Sequence, residues 1–273
     1  MTKPEEKKLE ELKNILTEMK SVLIAFSGGV DSSFLLKVAY DVLKEKVLAV
    51  TASSPIQPAF EQEEAKHFAL SIGANHLIIP THEMSDEEFT ANPPNRCYHC
   101  KKSIFSELKQ IAIEKGIPFV ADGSNIDDMK DYRPGMRALR ELNIRSPLKE
   151  ANLTKAEIRS MSKQMGLPTW NTPPLACLAS RIPYDSKITL EKLRRIDIAE
   201  SFLRDIGIKQ VRVRDHDNIA RIEVLPVDKT PFFDDELSSK IVLRLKKLGF
   251  TYVTLDLQGY RTGSLNEKNP KNG

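Results

Sequence analysis

The sequence has little that would mark a specialised surface. No unbroken apolar run exceeds five residues, far short of the ~20 that a membrane-spanning helix needs. No internal repeat and no low-complexity tract interrupts the chain. The first ten residues, MTKPEEKKLE, are charged and contain no apolar core, so no secretion signal is expected and the expected location is cytoplasmic. The net charge is only +3, which tolerates a phosphorylated ligand or RNA without arguing for either. Cysteine is scarce and odd in number, three in 273 residues. A disulfide framework is therefore disfavoured, and metal or sulfur chemistry becomes the better use of the thiols.

The apolar pattern alternates between two periods. Leu9, Leu12, Leu16 and Met19 recur at helical spacing, and VLIAF (22–26) follows as a short run typical of a buried parallel strand. Phe34, Leu35, Val38, Ala39, Val42 and Leu43 form another helical face. Further strands are predicted at 47–52, 76–80 and 118–123, with helices over 59–72 and 102–115 closed by Gly73 and Gly116. Strand–helix alternation predicts an α/β fold, a doubly wound parallel sheet, over residues 1–184. From 185 to 273 the order helix, strand, strand, helix, strand predicts a small α+β domain for substrate binding or oligomerisation. The polar tail from Thr262 is expected to fray.

The first strand runs into Ser27-Gly28-Gly29-Val30-Asp31-Ser32-Ser33 and then a helix. A helix N-terminus presents unpaired amides and a partial positive charge. Two glycines let the backbone approach an anion, and the hydroxyls of Ser27, Ser32 and Ser33 add hydrogen bonds. The loop lacks the Gly-Lys-Ser/Thr ending of a P-loop, which argues against γ-phosphate transfer. Asp31 is a candidate to hold Mg2+ on the phosphates. A glycine turn with a serine or aspartate cap needs no ligand, but the full seven residues in this setting resemble the signature of the PP-loop ATP pyrophosphatases. That resemblance implies cleavage of ATP between the α- and β-phosphates and transfer of AMP. Thr51 and Ser53, after the second strand, are further candidate nucleotide contacts at the carboxyl edge of the sheet.

Cys97 and Cys100 form a Cys-x-x-Cys pair, flanked by Arg96, Lys101 and Lys102, and Cys177 stands alone in LACLASR. A Cys-x-x-Cys turn aims two thiolates at one centre, and neighbouring cations lower thiol pKa values. Three thiolates suit an iron–sulfur cluster with one iron free of protein. Zinc held with His99 and a redox dithiol are also consistent with the spacing, and so is a plain apolar packing role for a cysteine.

Farther on, Arg212 and Arg214 share one face of a strand, and Arg221 returns beside them if the hairpin loop is even. Like charges across a strand pair repel, so a bound anion, the phosphate of a nucleotide-like substrate, is the expected partner. A solvated face relieved by Glu223 or Glu200 would serve as well. Arg181, four residues after Cys177, is a candidate to steady the thiolate or a substrate carboxylate.

SGGVDSS, NPPNRCYHCK, DGSNIDDMKDYRPGMRAL, RSPL, GLPTWNTPPLACLASRIPY and VRVRDHDNIARIEV, in this order and spacing, resemble the LarE sulfur transferases from about residue 10 to 260. The resemblance implies adenylation of a carboxylate on a pyridinium-dicarboxylate mononucleotide and replacement of oxygen by sulfur, in the making of a nickel-pincer cofactor. It implies substrate-site roles for Glu200, Arg212 and Arg214. In one branch of that family the enzyme's own cysteine, matching Cys177, gives up its sulfur. In the other, three cysteines hold a 4Fe-4S cluster. Having Cys97 and Cys100 beside Cys177, the chain is expected in the cluster branch, with sulfide or another sulfur donor as a partner and a homo-oligomer as the assembly. Thiolation of tRNA and amide-bond formation, both PP-loop chemistries, remain open at this point. The absence of an added RNA-binding module and of a glutaminase domain weighs against each.

Overall fold

A computed structural model describes residues 1–130, 134–173 and 176–261. The middle of the DGSNIDDMKDYRPGMRAL segment, Pro174 and Leu175, and the tail expected to fray lie outside the described residues. The chain forms two compact units, Met1–Phe89 with Asn95–Leu175, and Thr90–Pro94 with the chain from Ala176 onward.

In the first unit, α1 (Lys3–Met19) opens with a capping box between Thr2 and Glu5 and buries Leu9, Leu12, Leu16 and Met19. β1 (Val22–Ala25) leads into α2 (Val30–Leu43), β2 (Val47–Ser53), α3 (Ala59–Ser71) and β3 (Asn75–Pro80). A one-turn helix, α4 (Glu87–Thr90), is followed by α5 (Arg96–Glu114), β4 (Phe119–Ala121), α6 (Gly135–Glu141), α7 (Pro147–Glu150) and α8 (Lys155–Gln164). The four strands lie in the order β3-β2-β1-β4, and every neighbouring pair is parallel. Period-2 alternation sorts the core into two layers. Val22 and Ile24 of β1 pack with α1, α2, α3 and α8 residues such as Leu16, Phe34, Phe68 and Ile158. Leu23 and Val50 face the other way, onto Phe105 and Leu108 of α5 and Leu139 of α6. Helices on both faces are the doubly wound arrangement that the strand–helix alternation predicts.

One expected element changes. The helix anticipated over 102–115 starts at Arg96, so the Cys-x-x-Cys segment, read from the sequence as a turn, is the first turn and a half of α5.

In the second unit, α9 (Leu190–Asp205), β5 (Val211–His216), β6 (Ile219–Val224), α10 (Asp235–Lys247) and β7 (Tyr252–Leu255) give the expected α+β order. β5 and β6 are antiparallel, and β7 adds parallel to β6. Val211, Val213, Ala220, Ile222 and Val224 pack onto Leu203 and Leu245. This unit begins at Ala176, ahead of the expected boundary, and takes in Thr90–Pro94. The fully buried Asn92 amide donates to the carbonyls of Ile182, Pro183 and Ser186, and the Asp185 and Ile188 amides donate to the Asn92 and Thr90 carbonyls.

Candidate nucleotide loop and arginine site

The loop after β1 owes its shape to its small residues. Gly28 has φ +75°, a conformation open to glycine, and a Cβ there would meet Ala65 at 3.2 Å. Gly29 is the N-cap of α2, and no side chain caps that helix. The first-turn amides of α2 thus have neither an intrahelical acceptor nor a side-chain cap, which is the arrangement that receives a phosphate. The serine hydroxyls serve the loop itself. Ser32 Oγ donates to the Gly29 carbonyl (3.2 Å) and accepts from the Ser27 amide (3.3 Å), and Ser33 Oγ donates to the Gly28 carbonyl (3.2 Å). Ser32 and Ser33 are buried, while Ser27 is exposed at the mouth.

Gly123, just past β4, was not singled out by the sequence. A Cβ at this position would stand 3.0 Å from the Ser32 amide nitrogen, so glycine keeps the α2 N-terminus uncovered. Asp31 is held by two partners from distant segments. Lys155 at the start of α8 bonds its Oδ2, and Asn125 donates to Oδ1 at 3.3 Å. The Lys155 backbone amide donates to Asp127 (2.9 Å), and the Asn125 amide to Asp128 (3.0 Å). Lys155, Asn125 and Asp127 therefore join Asp31 in one polar cluster beside the loop. Their only sequence signal is the polar run DGSNIDD after a predicted strand, with a lysine opening a capped helix.

Thr51 and Ser53 occupy the end of β2 itself. Thr51 is buried, and its hydroxyl donates to the Phe26 carbonyl (2.7 Å). Its lone pairs then receive His76 Nε2 (2.8 Å), and burial, with a contribution from the charge of Lys66, holds the His76 pKa below its ordinary value. Thr51 is thus committed within the sheet. Ser53 Oγ donates to Gln62 (2.9 Å).

None of the three cysteines forms a disulfide. Cys97, exposed, and Cys100, half-buried, sit one turn apart on α5 of the first unit; Cys177, half-buried, belongs to the second. His99 between them does not turn to the thiols: its Nδ1 lies 2.8 Å from Glu88.

In the second unit Arg181, Arg212 and Arg214 are buried, while Arg221 is half-buried. Arg181 is 1% exposed and grips the fully buried Glu200 in a bidentate pair of 2.8 and 2.9 Å. Its remaining amino group donates to the carbonyls of Ala176 and Cys177 and to Ser180 Oγ. The guanidinium therefore fixes the backbone that carries Cys177, and its contact there is with the carbonyl. Burial pushes Glu200 toward the neutral acid, but the charge and hydrogen bonds of Arg181, with Arg212 and the Val213 amide, outweigh it and lower its pKa. On the hairpin, Asp217 adopts φ +58° in the two-residue turn. This even loop sets Arg214 opposite Arg221, and Arg212 opposite Glu223. Glu223, also buried, receives Arg214 at 3.0 and 2.9 Å and Arg221 at 2.9 Å. Arg214 also donates to the Ser180 carbonyl, tying the hairpin to the Cys177 segment. Arg212 lies over the Tyr260 ring at 5.3 Å, its pKa lowered by burial and by Arg181. Arg181, Arg212 and Arg214 thus lie buried with Glu200 and Glu223, where each desolvated charge needs a partner.

The NAD synthase family model matches residues 6–98. An uncharacterized protein of Synechocystis sp. is 46% identical over 96% of this chain and 97% of its own length. The pyridinium-3,5-bisthiocarboxylic acid mononucleotide synthase of Lactiplantibacillus plantarum is 38% identical over 92% of this chain and 91% of its own. A tRNA-specific 2-thiouridylase of Desulforamulus reducens is 26% identical over 56% of this chain. No described helix is long and apolar enough to cross a membrane. An anion loop of main-chain amides and a likeness that runs through both units identify the chain as an ATP-dependent enzyme with a PP-loop domain, a member of the pyridinium-3,5-bisthiocarboxylic acid mononucleotide synthase family, the LarE family.

Proposed function

We propose that this enzyme adenylates a carboxylate of a pyridinium-3,5-dicarboxylate mononucleotide and replaces its oxygen by sulfur, giving a thiocarboxylate for a nickel-pincer cofactor. The observation that carries the reading is the set of three buried arginines around the Cys177 segment, in a chain with an intact PP-loop. A nucleotide substrate has both of the groups such a site calls for, a phosphate for Arg212 and Arg214 and a carboxylate for activation.

In the first step a substrate carboxylate oxygen attacks the α-phosphorus of ATP. The bond to the β-phosphate oxygen breaks, and pyrophosphate leaves with the electron pair. The α2 amides and Lys155 stabilise the charge that collects on the departing group. Asp31 would hold Mg2+, exchanging its bond to Lys155 for the ion. In the second step a sulfur nucleophile adds to the acyl carbon, and AMP leaves with the bonding electrons of the carbon–oxygen bond.

For the sulfur, the donor set is three cysteines outside any disulfide, two of them at i and i+3 on one helix, which fits the Cys-x-x-Cys part of an iron–sulfur site. Cys97, Cys100 and Cys177 would hold a 4Fe-4S cluster, which would supply sulfide as the nucleophile. A second reading rests on Cys177 lying in the same unit as the arginine cluster: its own sulfur is transferred, and the residue becomes dehydroalanine.

With radiolabelled ATP and the dicarboxylate mononucleotide, AMP, pyrophosphate and a thiocarboxylate are expected. ADP with phosphate, or thiolation of tRNA in place of the mononucleotide, overturns the proposal. Arg212→Ala and Arg214→Ala should raise the substrate KM while ATP binding holds. Intact mass separates the sulfur sources: a loss of about 34 Da marks the sacrificial cysteine, and unchanged mass over several sulfide-dependent turnovers marks the cluster.

A further inference from the structure

The carboxylate of Asp31 is divided between two unlike donors. Among the described residues, Asn125 donates to Oδ1 at 3.3 Å and the Lys155 ammonium bonds Oδ2. The charged donor makes the stronger bond, but the two differ more in how readily they leave. Lys155 reaches Asp31 on a long, flexible stem, and its side chain is 34% exposed. A divalent cation arriving at Asp31 repels the ammonium, and the stem can carry it into water.

Asn125 has no such freedom. It is 2% exposed. Its side-chain carbonyl accepts the Asp127 amide two residues on, at 2.9 Å, which is an Asx-turn. Its own backbone amide donates to Asp128 at 3.0 Å, and the next amide, that of Ile126, donates to the Leu153 carbonyl at 3.0 Å. The donor on Oδ1 is therefore built into the fold, whereas the donor on Oδ2 can be replaced.

We propose that Asn125 is a positioning residue that makes Asp31 a one-oxygen ligand for the Mg2+ of the nucleotide: Oδ1 stays with the Asn125 amide, and Oδ2 passes from Lys155 to the ion. The proposal rests on the reading of Asp31 as the Mg2+ ligand. Its consequence is discrimination between cations. Mg2+ is small, demands near-octahedral geometry and keeps several of its waters, so a single carboxylate oxygen serves it. Ca2+ takes about 6–8 oxygens, often both from one carboxylate. To bind Ca2+ in that way, Asp31 would have to give up its bond to Asn125. Partners that orient a metal-binding side chain commonly govern its affinity for the ion.

The test reads a ratio of affinities, which a general weakening of the site leaves alone. α,β-Methylene-ATP, which cannot be cleaved between its α- and β-phosphates, is titrated by calorimetry into the full-length enzyme with Mg2+, with Ca2+ and without a divalent ion. Asn125→Ser is the main variant. Its hydroxyl can still receive the Asp127 amide in an ST-turn, but it is too short to reach Asp31. The wild type should prefer the Mg2+ nucleotide. In Asn125→Ser the Mg2+ complex should weaken about tenfold or more while the Ca2+ complex changes little, so the preference shrinks by the same factor. Metal-free nucleotide should bind as it does to the wild type, which separates lost positioning from a lost fold. Asn125→Ala should shift the ratio in the same direction. Lys155→Ala should leave the ratio unchanged, because either ion displaces Lys155. Asp31→Asn tests the underlying reading and should abolish the preference; if it binds both metal nucleotides as the wild type does, Asp31 is not the ligand. If Asp31→Asn loses the preference and Asn125→Ser keeps it, the role of Asn125 is overturned while the reading of Asp31 stands.

Discussion

In the first unit, positive potential for an anion is made from main chain. Small residues bend a loop, serine hydroxyls brace it, and the first-turn amides of α2 are left uncapped. In the second unit it is made from side chains: three buried guanidinium groups held by two buried glutamates. The main-chain site adds no net charge and needs no carboxylate to hold its donors. The side-chain cluster carries desolvated charges that must stay paired. The second unit therefore depends on keeping its buried charges paired, whereas the loop in the first unit depends on steric openness.

This contrast gives three tests, the largest effect first. Arg181→Leu leaves Glu200 buried without its bidentate partner, so stability should fall by about 3–5 kcal/mol. The double change Arg181→Leu with Glu200→Leu should recover much of that loss. By contrast, Ser33→Ala, which removes one neutral hydrogen bond, should cost about 1 kcal/mol. Urea unfolding midpoints measure all three, and a loss for Arg181→Leu no larger than for Ser33→Ala breaks the comparison. Next in size, Gly123→Val should lower ATP-dependent pyrophosphate release by about a hundredfold through a small displacement of the loop. Stability should stay close to wild type. Lys155→Ala should lower the release by roughly ten- to a hundredfold, as expected for a lost charged hydrogen bond. Retained activity in Gly123→Val would mean that the α2 amides do not receive the phosphates.

The smallest effect concerns pH. The folded pKa of His76 lies below the ordinary 6.5, so the unfolded chain binds the proton first and stability falls as pH drops below that value. Above it the neutral ring keeps its bond to Thr51 intact. His76→Gln should flatten the part of the stability-versus-pH curve between 6.5 and the folded pKa. An unchanged curve would show that the imidazole is not held neutral in the sheet.

Much of this was legible in the sequence because the signals were local. Short apolar runs marked all four parallel strands, two glycines between a strand and a helix marked the nucleotide loop, and an even turn put Arg221 across from Arg214. What escaped notice depended on contacts over long separations. Lys155 meets Asp31 across 124 residues, and Gly123 matters because of an amide at position 32. Glu223 was weighed as relief for a charged face, but its bidentate hold on Arg214 depends on burial, which strand periodicity alone did not supply. The helical start at Arg96 was hidden by Pro93, Pro94 and Asn95, residues that read as loop and delayed the expected helix to position 102.

Asn92 also sets a timetable for synthesis. It emerges from the ribosome 90 residues ahead of Ile182, the first of its carbonyl partners. At about 5–20 residues per second, that is a wait of roughly 5–18 s. For that interval the Thr90–Pro94 segment has no unit to join, while most of the α/β half is already translated around it. The second unit is a late arrival that must capture a strand of chain laid down earlier, so a nascent chain halted before residue 182 would leave this polar amide unclaimed.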